Sequence, residues 1–246
     1  MVLQYHRLRR SKPTDIKRLL DKLPEDLEKS YEQTLLGIVK ENRNYARRLF
    51  QCLSVSARPL RIQELAEIFP IQFDATSGPS YDKDRRSFDA EEPALSSCSS
   101  LITITGGEGD QVLQFSHYSV KEYLTSDRLA AADGRLSFYH VDLESAHTLL
   151  AYACLTVLLR LDDKIDRSGI GRFPLAPYAA RHWVNHAKSG IIASHVEEVM
   201  DQLFDRTKPH FAAWVWLFDI DHSWEKPTSS MHPIQPVTGF TTVGVA

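Results

Sequence analysis

The chain has 246 residues, 43% of them hydrophobic and 10% aromatic, which is enough apolar material to close a core and excludes a disordered chain. Its formal net charge is -3, which excludes a global field that would draw it onto nucleic acid or an anionic membrane. Cys52, Cys98 and Cys154 show no CxxC spacing, which argues against a disulfide framework or a zinc site. Because no apolar run is long enough to cross a bilayer, we expect a cytoplasmic protein with no membrane partner.

The first 41 residues predict a helical lead-in. Apolar residues recur at helical spacing from Thr14 to Lys22 and again from Glu25 to Val39, with a break at Pro24. The two patterns predict two helices that precede the first domain.

Residues 42–133 predict a winged-helix domain with a small antiparallel hairpin. Gly106 to Gly109 supply the hairpin tip, and Ser119 with Glu122 predicts a capping box for the last helix. Arg47 and Arg48 are expected to point to solvent. The predicted elements are a helix at Asn44–Ser54, an extended piece at Arg58–Leu60, a helix at Ile62–Phe69, a loop at Phe73–Ala90, a helix at Ala94–Ser100, strands at Leu101–Thr105 and Gln111–Ser116, and a helix at Tyr118–Leu124.

Residues 134–226 predict an all-helical domain, since the alternating strand pattern stops after the hairpin. The periodic segments are Leu143–Leu161, Tyr178–Lys188 and Ser194–Phe204. Residues 227–246 are rich in Pro, Thr, Ser and Gly and predict a disordered tail. The expected fold class is therefore mainly α, with the winged helix between a helical lead-in and a helical domain.

Several short motifs together resemble one family. The chain resembles the winged-helix and helical region that follows the NACHT ATPase module of fungal NACHT/ankyrin-repeat STAND signalling proteins, a module also labelled GPI inositol-deacylase-like winged helix. The motifs that carry the resemblance are Lys22-Leu23-Pro24, Ala57-Arg58-Pro59-Leu60, the run from Phe115 to Leu124, Ala179-Ala180-Arg181-His182-Trp183 and Phe211-Ala212-Ala213-Trp214.

The resemblance gives His117 a role. In the family, a histidine at the start of the last winged-helix helix touches the bound nucleotide diphosphate, so the resemblance implies a nucleotide contact at His117 once an ATPase core is present. The alternative is an ordinary capping or packing histidine. No GxxxxGK[ST] phosphate loop occurs in the sequence, and we therefore expect no ATPase activity, no cofactor and no enzyme.

Two further groups of residues suggest binding. Trp214, Trp216, Phe218 and Trp224 form an aromatic cluster that could dock a protein partner, with the core of the helical domain as the alternative. His182 and His186 stand four residues apart on a predicted helix, but no further ligand has matching spacing, so we expect no metal site and a solvated helix face.

These observations favour a non-catalytic regulatory and protein-interaction segment of a NACHT-ankyrin type protein, without its ATPase core and repeats. The expected partners are proteins or the missing NACHT and ankyrin modules. The alternative is a DNA-binding winged helix, although nucleic acid is disfavoured because Glu91, Glu92 and serines occupy the predicted recognition helix and its start. A hydrolase would need a nucleophile, a base and an oxyanion hole that these residues do not assemble.

Overall fold

The computed structural model describes residues 27–74, 78–81, 98–107, 109–161, 169–189 and 194–218. Within these ranges the chain is mainly helical, with a three-stranded antiparallel sheet and a separate two-stranded hairpin. The predicted fold class, mainly α with a small antiparallel hairpin, is confirmed. The predicted helix Thr14–Lys22 and the tail from residue 227 lie outside the described residues.

The helices of the described ranges agree closely with the periodic segments of the sequence, except that α5 and α9 were not predicted. Single turns of 3-10 helix lie at Lys40–Asn42, Ser137–Tyr139 and Ile170–Arg172. The α-helices are α1 (residues 27–37), α2 (Arg43–Val55), α3 (Ile62–Ile68), α4 (Tyr118–Leu124), α5 (Asp127–Ala130), α6 (Leu143–Leu159), α7 (Ala176–Ser189), α8 (Ser194–Leu203) and α9 (Pro209–Leu217).

The three-stranded sheet joins a short strand after α2 to the predicted hairpin. Its strands are β1 (Leu60–Arg61), β4 (Ile102–Thr105) and β5 (Val112–Phe115), in the order β1-β5-β4 with antiparallel pairing. The order α2, β1, α3, β4, β5, α4 follows the winged-helix pattern. Most of the predicted helix Ala94–Ser100 lies outside the described residues, so the winged helix as a whole stays a prediction.

Gly106 is required at the tip of the β4–β5 hairpin. Its φ is 107°, in the region that favours glycine, and a Cβ there would lie 2.6 Å from the carbonyl oxygen of Asp110. Any side chain at this position would force the tip to open.

The predicted loop Phe73–Ala90 is wrong in its first part. The backbone forms β2 (Ile71–Asp74) and β3 (Gly78–Tyr81), which pair antiparallel. The Gly78-Pro79 pair was read as a loop signal, but in a two-stranded ribbon each strand is an edge, where a proline can be accommodated. The remaining residues of that loop lie outside the described ranges.

One continuous hydrophobic core connects the region before residue 134 with the region after it. Helix α6 is apolar nearly all round, and it packs against α2 and α3 on one side and against α7, α8 and α9 on the other. A helix with this pattern must be covered on every face. The boundary between residues 133 and 134 stays a prediction, since α6 belongs to a core that both regions share.

Two local expectations are wrong. Arg48 does not point freely to solvent: it is half-buried and donates to the carbonyl oxygens of Phe69 and Ile71, at 2.8 and 2.9 Å. Phe69 is the C-cap residue of α3 and Ile71 begins β2, so Arg48 ties α2 to the chain that joins them. Ser119 is not the cap of α4, because that helix already begins at Tyr118 and its N-cap residue is His117.

Candidate functional site

His117 lies at the start of α4 with its ring exposed. Its backbone is extended, with φ -153° and ψ 150°, and its Nδ1 accepts a hydrogen bond from the amide of Ser119 at 3.2 Å. An imidazole nitrogen thus satisfies one of the amides that every helix start leaves without an intrahelical partner. Because Nδ1 accepts, the neutral ring carries its proton on Nε2. His117 therefore presents a hydrogen-bond donor on an exposed ring.

The hydroxyl of Ser119 connects His117 to α1. Its Oγ lies 2.7 Å from Nδ1 of His117 and 2.8 Å from the hydroxyl oxygen of the buried Tyr31. We call these three residues, Tyr31, His117 and Ser119, the histidine corner. The corner fixes the start of α4 against α1, and the exposed Tyr118 lies beside it.

Trp214 lies in the interior and not on a surface. Its ring is 7% exposed and packs edge-on against Trp183, Phe204 and Phe211, with centroids 5.8 to 6.0 Å away. Its Nε1 donates to the carbonyl oxygen of Ala180 at 3.3 Å. This contact satisfies the one polar atom of the indole, so Trp214 behaves as a core residue that ties α9 to α7.

The other predicted docking residues are placed differently. Trp216 and Phe218 are half-buried, and Phe218 packs against the core. Val215, which stands between Trp214 and Trp216 in the sequence, is 42% exposed. Trp224 lies outside the described residues. The apolar surface at the end of α9 is therefore formed by Val215, Trp216 and Phe218, and we call it the α9 patch.

His186 is buried, although the sequence pattern predicted a solvated helix face. It is 2% exposed, and both ring nitrogens have partners: Nδ1 lies 3.0 Å from Nδ1 of His147, and Nε2 lies 2.8 Å from the hydroxyl oxygen of Tyr178. His147 belongs to α6, 39 positions earlier. No spacing argument within one helix could find this partner, because only the packing of α6 on α7 brings the two rings together.

Tyr178 extends this contact to the chain segment that follows α2. Its hydroxyl oxygen accepts the amide of Ala57 at 3.1 Å and lies 2.8 Å from Nε2 of His186. Between the two Nδ1 atoms of His186 and His147, one ring donates and the other accepts. The result is a chain of hydrogen bonds from Ala57 through Tyr178 and His186 to His147.

An ion pair lies against the same tyrosine ring. Arg58 donates to both carboxylate oxygens of Glu64, at 2.8 and 2.5 Å, and its guanidinium lies 5.0 Å from the ring centroid of Tyr178. Glu64 is 2% exposed and also accepts the amide of Arg61 at 2.8 Å. A carboxylate buried to this degree needs such partners to stay charged.

Arg58, Glu64, His147, Tyr178 and His186 are together called the polar seam, since they join the segment around β1 and α3 to α6 and α7. A second polar contact runs beside it: Glu67 of α3, which is 1% exposed, accepts the amide of Leu175 at 2.7 Å. Both contacts cross the predicted domain boundary within a shared apolar core.

Burial controls protonation in the seam. Burial, with a smaller contribution from the neighbouring His147 and His182, which repel a positive charge, lowers the pKa of His186 to about 4. Burial also lowers the pKa of His147 and His182, with Lys121 and Arg58 respectively adding to the effect. The pKa of Tyr178 is raised by burial. The imidazoles of His147 and His186 and the phenol of Tyr178 are therefore neutral at neutral pH.

The three cysteines are buried thiols. Burial raises the pKa of Cys52 and Cys98 to about 12 and that of Cys154 still further. A thiol held neutral in this way is a poor nucleophile and a poor metal ligand.

Within the described ranges, no group of three or more His, Cys, Asp or Glu side chains could hold a metal ion. No helix there has the length and apolar character needed to cross a membrane.

Of the residues of the polar seam, the sequence pattern singled out only His186. Arg58 was named only within the motif Ala57-Arg58-Pro59-Leu60 that supports the family resemblance.

The comparisons with known proteins give one relative. No protein-family model matches the chain, and no solved structure matches it. The chain is similar to azaphilone pigments biosynthesis cluster protein L of Monascus ruber, with 31% identity over 212 residues. These residues make up 82% of this chain and 43% of the relative, so the chain spans less than half the length of the curated relative that it matches.

Proposed function

We propose that this chain is a non-catalytic regulatory and protein-interaction segment of a NACHT-ankyrin type STAND signalling protein, which acts in the cytoplasm with protein modules as its partners. It needs no cofactor of its own. The nucleotide is held by an ATPase core, and this segment supplies one contact to it and a surface on which further modules dock.

The placement of His117 carries the proposal. A switch contact must reach outward from a rigid base, and His117 has its Nδ1 fixed at the start of α4 while its ring is exposed. Its Nε2 proton is then available to a phosphate oxygen. A hydrogen bond from Nε2–H to a phosphate oxygen is charge-assisted because the acceptor is ionised, and Nδ1 keeps the amide of Ser119.

The α9 patch supports the docking part of the proposal. Trp216 and Phe218 are half-buried and Val215 is 42% exposed, so a partner that covers them would remove apolar surface from water. The matched relative is more than twice as long as the aligned region, and this supports a segment that works beside further modules.

The hairpin tip weakens the DNA-binding alternative. Asp110 forms an ion pair with Arg61 at 3.5 Å, and its side chain is 78% exposed. An exposed carboxylate at the tip of a wing repels the phosphate backbone. A protein partner fits this surface better than a duplex.

The proposal is tested first on the transcript that encodes the chain. We expect one reading frame to join this segment to an upstream GxxxxGK[ST] motif and to downstream repeats of about 33 residues. A transcript that encodes neither would contradict the assignment.

The second test measures ADP binding by calorimetry with the full translated product. His117→Asn keeps a side-chain acceptor for the helix start but removes the imidazole, so we expect ADP affinity to fall about tenfold, the effect of one charged hydrogen bond. Glu122→Gln, exposed on the same helix, is the matched control and should bind ADP as the wild type does. Equal affinity in the two variants would exclude a nucleotide contact at His117. Micromolar affinity for duplex DNA would favour the alternative function.

A further inference from the structure

We propose that Arg43, Arg47 and Arg135 form a binding site for the phosphate group of a phosphorylated protein segment. We call these three residues the arginine cluster; they lie where α1 ends and α2 begins, beside the 3-10 turn at Ser137–Tyr139. The site shares no residue with the histidine corner, so it does not depend on the role proposed for His117.

Two guanidiniums of the cluster meet at one carbonyl oxygen. Nε of Arg43 donates to the carbonyl oxygen of Ile38 at 3.4 Å, and Nη2 of Arg135 approaches the same oxygen at 3.5 Å. Arg135 also donates to the carbonyl oxygen of Leu36, at 2.6 Å. These carbonyls belong to the end of α1, where the helix dipole attracts cations. The contacts occupy one nitrogen of each guanidinium and leave the other nitrogens able to bind an anion.

The two guanidiniums lack a carboxylate partner. Arg58, Arg61 and Arg128 each form an ion pair with an Asp or Glu side chain. In the part of the chain that the structure describes, Arg43 and Arg135 form none, and the carbonyl oxygen that they share is neutral. Their positive charges therefore repel each other, and an anion bound between them would remove this repulsion.

A third guanidinium adds to the positive charge. Arg47 lies one turn after Arg43 on α2, is exposed, and holds its guanidinium 5.1 Å from the ring centroid of Phe138. Among the described residues it also has no carboxylate partner. Three arginines exceed what one carboxylate can neutralise, whereas a phosphate group carries up to two negative charges and three acceptor oxygens.

The buried hydroxyl of Tyr139 faces the same two arginines. Tyr139 is fully buried, and its hydroxyl oxygen has no hydrogen-bond partner within the described ranges. Burial raises the pKa of Tyr139, and the positive charges of Arg43 and Arg135 oppose this rise, which places both guanidiniums near the phenol. A buried hydroxyl without a partner destabilises a native protein and is rare. A phosphate oxygen held between the arginines would supply the acceptor that this hydroxyl lacks.

Exposed aliphatic side chains beside the cluster favour a phosphorylated protein segment over a free phosphate. Leu36 is 41% exposed and Val39 is 52% exposed, on the two sides of Ile38 in the sequence. A free phosphate ion would leave both in water, whereas apolar residues next to a phosphorylated side chain would cover them. Recognition of phosphorylated segments by arginine clusters is a recurring mode of peptide binding.

The proposal is tested by fluorescence anisotropy with the whole chain and a fluorescein-labelled peptide, Gly-Leu-phosphoserine-Leu-Gly. We expect at least tenfold higher affinity than for the same peptide with unmodified serine, because the charge-assisted hydrogen bonds form only with the phosphate. Replacement of both leucines by glycine should lower the affinity about fivefold, because the aliphatic contacts are lost. Inorganic phosphate should displace the labelled peptide only at concentrations far above those of the unlabelled peptide.

Two variants assign the binding to the arginine cluster. Arg135→Gln removes one guanidinium at an exposed position, so we expect the affinity for the phosphopeptide to fall about tenfold and that for the serine peptide to stay unchanged. Arg47→Gln should have an effect in the same direction and leaves the contacts at the end of α1 in place. Arg181→Gln, at an exposed position of α7, makes the same change in net charge and is the control, with wild-type affinity expected.

Three results would overturn the proposal. The first is equal affinity for the phosphorylated and unmodified peptides, or wild-type affinity in both cluster variants. The second is an equal loss of affinity in Arg181→Gln, which would mean attraction to positive charge in general. The third is displacement by inorganic phosphate at the same concentration as by the unlabelled phosphopeptide, which would mean that the site takes free phosphate and not a protein segment.

Discussion

The histidine corner and the polar seam use the same side chain in opposite ways. At the corner, His117 is exposed and one ring nitrogen caps a helix. In the seam, His186 is buried, and both ring nitrogens are bound by side chains of other residues. An imidazole with one nitrogen exposed to water can bind a further group there, whereas one with both nitrogens engaged within the fold can do so only by losing a partner. The surroundings, and not the residue type, separate a binding contact from a structural one.

The largest expected difference between the two regions is the free energy of unfolding that is lost when a charged side chain is removed. Glu64→Ala removes a buried carboxylate and leaves Arg58 and the Arg61 amide without their acceptor, so we expect a loss of about 3 kcal/mol in the free energy of unfolding. Glu122→Ala, at an exposed position of α4 beside the corner, should change it by less than about 0.5 kcal/mol. Urea unfolding at constant m-value measures both. Equal small effects would mean that the seam ion pair contributes little.

The second prediction is a pH dependence of stability that comes from the histidines of the seam and from the neighbouring His182. The pKa of His186 is about 4 in the folded chain and about 6.5 when unfolded, so the unfolded state binds more protons between these values. Stability is therefore present above pH 6.5 and is lost as the pH falls below it, by up to about 2 kcal/mol at pH 5. The lowered pKa values of His147 and His182 act in the same direction.

Urea unfolding of His186→Gln at pH 7 and pH 5 measures the slope of the free energy of unfolding against pH. This slope should be smaller than in the wild type. Ser119→Ala, which removes a group of the corner that does not titrate, is the control and should keep the wild-type slope. The interpretation fails if the slope changes in the control and persists in His186→Gln.

The third prediction compares two tyrosine hydroxyls. Tyr178→Phe removes a group that binds the Ala57 amide and His186, so we expect a loss of about 1 to 2 kcal/mol in the free energy of unfolding. Tyr31→Phe removes only the contact to Ser119 at the corner and should cost about 0.5 kcal/mol. Thermal unfolding of the two variants side by side ranks them. The reverse order would place the stronger network at the corner.

The smallest expected effect concerns how His117 stabilises the start of α4. His117→Ala removes the N-cap acceptor of α4 and should cost about 1 kcal/mol in the free energy of unfolding, while His117→Asn should recover most of it, because asparagine is a good N-cap residue. Urea midpoints of the two variants give the difference. If asparagine restores nothing, the ring stabilises the chain by packing and not by capping.

The sequence was most informative where a pattern is local. Period and turn signals placed α3, α4 and the β4–β5 hairpin closely, since each depends on neighbours a few residues away. The same local rules misread β2 and β3, because Gly78-Pro79 is a turn signal in isolation and becomes a strand only when paired with residues 71–74. They also placed the cap of α4 two residues late, at Ser119.

Tertiary contacts decided the site. The sequence by itself determined a mainly helical chain with one small hairpin and a histidine at the start of α4, because helical period, turn glycines and the position before a helix are all written in adjacent residues. Only tertiary packing decided these contacts: α6 on α7 brings His186 to His147, α7 against the segment after α2 brings Tyr178 to Ala57, and α9 on α7 turns Trp214 inward. These contacts join residues up to 121 positions apart, and their energy comes from excluding water from a shared core, which no sequence interval encodes.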